Sequence, residues 1–221
     1  MGFQVAIDGP AGAGKSSISK VVAKKLQFIY VDTGAMYRAI ALYLLRSGVS
    51  LEDKEEQVRV SKEAKVSIEY REGEQVILLN GEDVTGLIRT PEVAAMASAC
   101  SANQEVRDLL TELQRTLARD FDVVMDGRDI GTTILPDAQV KVYLTASDEV
   151  RARRRMLQDE EAGLVRPFED ILKDIRERDY QDMHRISSPL RQAEDAYLLD
   201  SSDLTREEVV DKICSLVMER R

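Results

Sequence analysis

An α/β fold is what this sequence predicts: a mostly parallel sheet of five strands with helices on both faces and a small antiparallel insertion. Three observations carry the prediction. Short apolar runs ending in polar or glycine-bearing loops alternate with stretches whose apolar residues recur at helical spacing. The first such run, Val5-Ala6-Ile7, leads through a glycine-rich loop into an amphipathic stretch, a strand-loop-helix order. A hairpin pattern over residues 66–79 interrupts the alternation near the middle of the chain.

Val5-Ala6-Ile7 is stopped by Asp8-Gly9-Pro10, as a buried strand entering a turn would be. From Lys15 the apolar positions Ile18, Val21, Val22 and Leu26 trace a helix, and Phe28-Ile29-Tyr30-Val31 a second strand that ends at Asp32-Thr33-Gly34. Residues 36–45 predict a helix closed by Ser47-Gly48, and residues 51–65 an acidic, exposed one. Residues 66–70 and 75–79 flank Arg71-Glu72-Gly73-Glu74 as an antiparallel hairpin, with a third strand from Glu82 after Asn80-Gly81. These make an inserted subdomain over approximately residues 62–100. Helices resume at Glu92 and run, with a break near Asn103, to Arg119. Residues 121–126 and 140–144 are two further core strands separated by a loop over 127–137. Residues 151–158 and 168–185 read as helices, 197–199 as a last short strand and 205–219 as a closing helix. The chain, 1–221, thus reads as one domain with the insertion and, over approximately residues 148–168, a lid.

Composition sets limits on function. At 221 residues and 43% hydrophobic the chain can bury roughly 70% of its unfolded surface without disulfides or structural metal. With 31 Lys and Arg against 40 Asp and Glu the formal net charge is −9, and Trp is absent. Such a chain is not built to track a nucleic-acid backbone or to stack single-stranded bases, so any nucleotide it binds is small. Cys100 and Cys214 belong to no CxxC pair and read as buried reduced thiols, and the lone His184 excludes His-rich metal sites. The first eight residues lack the basic and apolar regions of a signal peptide, Ala6 stands where myristoylation needs Ser or Thr, and the longest apolar run, 39–45, is too short to span a bilayer. A cytoplasmic monomer without nucleic-acid or membrane partners is expected.

The loop after the first strand, Gly9-Pro10-Ala11-Gly12-Ala13-Gly14-Lys15-Ser16, matches GxxxxGK[ST] and lies between strand and helix, where the mechanism needs it. The glycines let backbone N–H groups turn inward around phosphates, and the helix start aims its positive end at them. Lys15 is the candidate for the β/γ-phosphates, and Ser16 for Mg²⁺, with Ser17 completing the loop. A nucleoside triphosphate site follows, in a sheet of the P-loop type.

Three arginine clusters bear on what receives the phosphate, and the two arginines at strand ends, Arg38 and Arg128, suggest a second phosphate-bearing ligand. Arg38 stands about one turn into the helix after the second strand, and Asp126-Gly127-Arg128-Asp129 follows another strand; the carboxyl ends of strands in an open parallel sheet are where ligands bind. Arg178, Asp182 and Arg185, at i, i+4 and i+7, place two guanidiniums around a carboxylate, a pattern that on this charged helix alone reads as a solvated salt-bridge ladder. Arg151, Arg154 and Arg155 share a helix face, in the pattern of a solvated surface or of a lid that neutralises a transferring phosphoryl group.

These residues together resemble the bacterial cytidylate kinase family of nucleoside monophosphate kinases. The likeness runs through residues 9–17, Asp32-Thr33-Gly34-Ala35-Met36-Tyr37-Arg38, Gly81-Glu82-Asp83-Val84-Thr85, Ile88-Arg89-Thr90, Asp126-Gly127-Arg128-Asp129-Ile130-Gly131-Thr132 and residues 178–185. It implies phosphorylation of CMP and dCMP by ATP with Mg²⁺, a CMP-binding insertion and a short lid. Contacts to the acceptor phosphate would fall on Arg38 and Arg128, to cytosine on Thr33, Arg107, Asp129 and Arg185, and to the sugar on Ser98, Arg178 and Asp182. The lid arginines would come from Arg151, Arg154 and Arg155. Thr33 replaces the Ser common in relatives, and His184 reads as a non-ligand.

The chemistry agrees with the resemblance. Cytosine offers an amine donor and two acceptors, matched by a carboxylate with arginines or a hydroxyl; uracil reverses adjacent positions and would leave a buried carboxylate unpaired, at a cost of about 1–3 kcal/mol. A monophosphate oxygen is already anionic, so no general base is required. Another small P-loop kinase with an alcohol acceptor would need Asp32 or Asp129 as base and leaves the arginines unexplained. A P-loop switch protein would be expected to carry an NKxD segment, which the sequence lacks.

Overall fold

In the computed structural model, which describes residues 2–161 and 163–221, the chain alternates strand and helix as the sequence predicts. The order is β1 Gln4–Asp8, α1 Lys15–Leu26, β2 Ile29–Asp32, α2 Thr33–Arg46, α3 Lys54–Ser61, β3 Val66–Arg71, β4 Glu74–Leu79, β5 Glu82–Asp83, α4 Pro91–Cys100 and α5 Gln104–Asp120. There follow β6 Val123–Gly127, a π-helical turn Ile130–Ile134, β7 Val140–Thr145, α6 Asp148–Glu161, α7 Phe168–His184, β8 Tyr197–Asp200 and α8 Arg206–Met218. Five strands form one sheet in the order β2-β6-β1-β7-β8, and β3-β4-β5 form a separate three-stranded sheet. The chain divides into two compact units, one of Gly2 with Ile29–Val123, the other of Phe3–Phe28 with Val124–Arg221.

In the second unit β1 is buried along its whole length and pairs in parallel with β7, which pairs in parallel with β8. Val5, Ile7, Met125, Val142 and Leu144 supply the core of these strands. Helices α6 and α7 close on Ala152, Ile171, Leu172 and Ile175, with Met156 and Phe168 packed against them. Helix α8 opens on a capping box in which Thr205 and Glu208 satisfy each other's backbone N–H. In the first unit β3 and β4 pair antiparallel with Val66 opposite Leu79, and β4 buries Val76 to Leu79. The segment expected as an insertion, 62–100, lies within this unit. Tyr70 on β3 donates to the Tyr30 carbonyl at 2.9 Å, and the Gln75 side chain on β4 accepts from Asp32 N at 2.8 Å, so the hairpin is tied to the end of β2.

Several expected boundaries move for identifiable reasons. Helix α2 starts at Thr33 rather than 36, because Asp32 Oδ1 accepts from Ala35 N at 2.8 Å and caps it. Helix α3 spans only Lys54–Ser61 instead of 51–65: Asp53 caps it, while the Gln57 amide bonds the carbonyls of Ser50 and Leu51 and holds them outside. Helix α6 begins three residues before the expected 151, and Phe121 caps α5 instead of opening β6. The expected loop 127–137 contains the π-helical turn, and Arg185 stands at the C-cap of α7 instead of inside the helix. Of the two cysteines expected to be buried, Cys100 is, whereas Cys214 is half-buried. Among the described residues no helix is long and apolar enough to cross a membrane.

Candidate active site

The phosphate loop runs from β1 to α1 with Gly9, Gly12 and Gly14 at φ of 150°, 75° and 89°, values that L side chains rarely adopt. A Cβ on Gly9 would also lie 1.9 Å from the Leu144 carbonyl oxygen, so both backbone angle and space require glycine there. Lys15 is buried and donates to the Pro10 carbonyl at 2.8 Å, curling back over the loop. Burial, then the Arg128 charge, push its ammonium down to about 7, against the pull of Asp126, Asp182 and Asp8. Ser16 Oγ donates to Asp126 Oδ2 at 3.0 Å. Ala11 is held through both of its backbone groups: its N–H donates to Asp179 Oδ1 at 3.2 Å and its carbonyl accepts from Arg151 at 2.9 Å.

The turn after β6 gathers charge. Arg128 Nε donates to Asp182 Oδ2 at 2.8 Å. Burial pushes the Asp182 carboxyl up, but the charge and hydrogen bond of Arg128, with Arg178 and Arg185, outweigh it and hold the group below the ordinary carboxylate range. Burial likewise works against the Arg128 charge, and Asp182, Asp126 and Asp179 more than offset it. Asp129 is 4% exposed, with Arg185 Nη2 at 3.5 Å from its Oδ1, and Arg185 Nε is fixed on the Ser188 carbonyl at 2.7 Å. So Arg128, Asp129, Asp182 and Arg185, together with the charge of Arg178, are brought into one network. His184 stacks on Tyr180 with ring centroids 4.0 Å apart, outside it.

In the first unit the acceptor candidates surround the start of α2. Asp32 Oδ2 takes both Arg38 at 3.3 Å and Arg89 at 3.1 Å. Thr33 is buried at the first position of α2. Arg107 is 2% exposed, donates to the Ser101 carbonyl at 3.2 Å and places its guanidinium 5.3 Å from the centre of the Tyr37 ring. Ser98 is half-buried on α4.

The three arginines expected to act as a set differ in burial and in partners. Arg151 is 3% exposed and donates to the carbonyls of Ala146 and Ala11 and to Asp179 and Asp148. Arg154 is half-buried and donates to Ser201 O at 2.8 Å and to Ala13 O at 3.4 Å. Arg155 is exposed and pairs with Asp159 at 2.9 Å. The difference arises because Arg151 lies on the helix side packed toward α7, which carries Asp179. Sequence reasoning assigned no role to Asp8, Arg89, Asp126 or Asp179; Asp8 stands beside a matched motif and the other three lie inside matched segments, but residue type alone did not show what each would hold.

A family model described as cytidylate kinase matches residues 5–219. A cytidylate kinase of Caldicellulosiruptor saccharolyticus is 50% identical over 214 residues, covering 97% of this chain and 95% of that protein. One of Ligilactobacillus salivarius is 48% identical over 218 residues, covering 99% of this chain and 97% of that protein. Among solved structures, a gluconokinase from Sinorhizobium meliloti superposes with a TM-score of 0.51 at 13% identity, covering 99% of this chain and 93% of that one. A shikimate kinase from Acinetobacter baumannii gives 0.50 at 16% identity, covering 100% and 96%. At such identities the solved structures speak to the fold alone, that of small P-loop kinases.

Proposed function

We propose, for a chain that belongs to the cytidylate kinase family, that it transfers the γ-phosphoryl group of ATP to CMP or dCMP, giving CDP or dCDP and ADP. It is an ATP-dependent phosphotransferase. The observation that supports the acceptor best is the buried Asp129 carboxylate with Arg185 beside it, an acceptor and a donor of the kinds that cytosine's amine and ring acceptors require.

The nucleophile is a phosphate oxygen that already carries charge, so the task is to align two anions and suppress their repulsion. Lys15 and the loop over residues 9–17, through its inward-turned backbone N–H groups, hold the donor phosphates. In the free protein Asp32 keeps Arg38 and Arg89 together, and Arg38 with Arg128 receives the acceptor phosphate. Because both Asp32 oxygens are engaged, by Ala35 N and by the two arginines, Asp32 is not placed to act as the base an alcohol acceptor would need. Thr33, Arg107, Asp129 and Arg185 read the base, while Ser98, Arg178 and Asp182 meet the sugar. Arg154 and Arg155 serve a lid over residues 148–168, and residues 62–100 form the CMP-binding part. The hydroxyl of Ser16 and the carboxylate of Asp126 are hard oxygen donors that fit Mg²⁺ and would hold it, and the ion would supply neutralisation of charge on the donor phosphates. The enzyme works as a cytoplasmic monomer.

The test is an ATP-coupled assay that offers CMP, dCMP, UMP, AMP and shikimate in turn. CMP and dCMP should accelerate ADP release far above the rate with water, and the absence of acceleration by any acceptor would remove the kinase reading.

A further inference from the structure

The strand that leads into the phosphate loop ends on a carboxylate that the mechanism above does not use. Asp8, the last residue of β1, is 5% exposed. Its Oδ1 accepts from Ile130 N and its Oδ2 from Gly131 N, each at 2.8 Å. These two amides directly follow Asp129 and open the π-helical turn Ile130–Ile134, where the first N–H groups have no partner within the helix. A carboxylate bound at both oxygens by consecutive N–H groups is fixed in orientation as well as distance. The turn is pressed onto it: a Cβ on Gly131 would lie 3.4 Å from Asp8 Oδ2 and 3.2 Å from Lys141 Cδ.

An apolar residue at position 8 would suit a buried strand end, yet would leave both amides unsatisfied, and an Asn offers only one acceptor oxygen. We propose that Asp8 is a positioning residue for base selection: its two-point grip on Ile130 and Gly131 sets where the Asp129 carboxylate stands. This rests on the reading of Asp129 as the residue that selects cytosine. Since Asp8 immediately precedes Gly9, the same side chain ties the base-reading turn to the strand that carries the phosphate loop.

The experiment compares kcat/KM for CMP with that for UMP at saturating ATP, in the wild type, Asp129→Ala and Asp8→Asn, alongside equilibrium ATP binding. Asp129→Ala should collapse the CMP:UMP ratio. Asp8→Asn should lower it about tenfold while ATP affinity changes less than about threefold, the size expected for one lost buried hydrogen bond acting at a distance. If Asp129→Ala leaves the ratio intact, the reading of Asp129 fails. If it collapses the ratio and Asp8→Asn does not lower it, the positioning role of Asp8 fails.

Should Asp8→Asn not fold, the wild-type ratio between pH 5 and 8 decides. Both acceptors carry the same phosphate, so its ionisation cancels. The groups facing Asp8 are Lys15 and Asp129, with Lys141 and Tyr143 from β7. Burial pushes the Asp8 carboxyl up to about 6 against its two amide bonds, and its protonation removes an acceptor. The ratio should fall below about pH 6, and a flat ratio overturns the proposal.

Discussion

Replacing Arg151 with Ala separates an anchor of the phosphate loop from an arginine that acts only in a lid. In the structure Arg151 donates to the Ala146 carbonyl at 3.0 Å, the Ala11 carbonyl at 2.9 Å and Asp179 at 2.5 Å, and also to Asp148. Truncation leaves Asp179, 7% exposed, with the Ala11 N–H at 3.2 Å as its remaining hydrogen-bond donor among the described residues, and strips two carbonyls of a donor. Removing one member of a buried ion pair costs about 3–5 kcal/mol. In a chain of this size each kcal/mol is worth about 2–4 °C, so unfolding of the nucleotide-free protein should move down by roughly 6–20 °C. A lid arginine exposed in the open state would cost less than about 0.5 kcal/mol of stability while lowering turnover about 10³-fold. Circular dichroism melts give the first quantity and steady-state kinetics the second. Substituting both partners with apolar residues, Arg151→Met with Asp179→Leu, should restore part of the loss, because a pair replaced together leaves no uncompensated charge. A melt within about 2 °C of wild type for Arg151→Ala, where the lid alternative sits, would refute the anchor.

Two further variants, at Lys15 and Arg38, test the phosphate contacts. Lys15→Met should lower turnover by at least about 10²–10³-fold with the fold retained. It should also change the pH dependence of stability: burial, then Arg128, bring Lys15 from 10.5 to about 7, so between those values the unfolded chain binds a proton that the folded chain has released. This group's contribution therefore rises with pH across that window, and denaturation midpoints from pH 7 to 10 should rise less steeply in the variant; an identical slope would contradict the assignment. Arg38→Ala should reduce kcat/KM for CMP by about 10–100-fold, the cost of a charged hydrogen bond, and leave ATP affinity within about twofold by equilibrium binding. Equal losses on both substrates would place Arg38 in the support of α2 instead.

Much of this architecture was legible because its signals are local. The glycine spacing of residues 9–16 specifies the loop, and Lys15–Leu26 repeats at helical period over its full length. The hairpin Val66–Leu79 declares itself by a turn bearing Gly73 at φ 81°. What escaped was made by distant partners. No local pattern marks Ile130–Ile134 as a helical turn, since its first amides are held by Asp8, more than a hundred residues away in sequence. The same applies to Arg151: a run of arginines after an acidic start reads as surface or as a lid, and the packing of α6 on α7 puts Asp179 beneath it. Helix ends moved where side-chain caps, such as those of Asp32 and Asp53, competed with periodicity.

Asp32 divides its oxygens between two duties: Oδ1 caps a helix, and Oδ2 holds two arginines. Asn caps a helix as well as Asp does, so the fold is a weak filter on this position while the phosphate chemistry is a strong one. Drift from Asp to Asn would change the anion affinity of the arginine pair without unravelling α2. A lineage could retune its acceptor there in a single substitution, at the stability cost of breaking the carboxylate's pairs with Arg38 and Arg89.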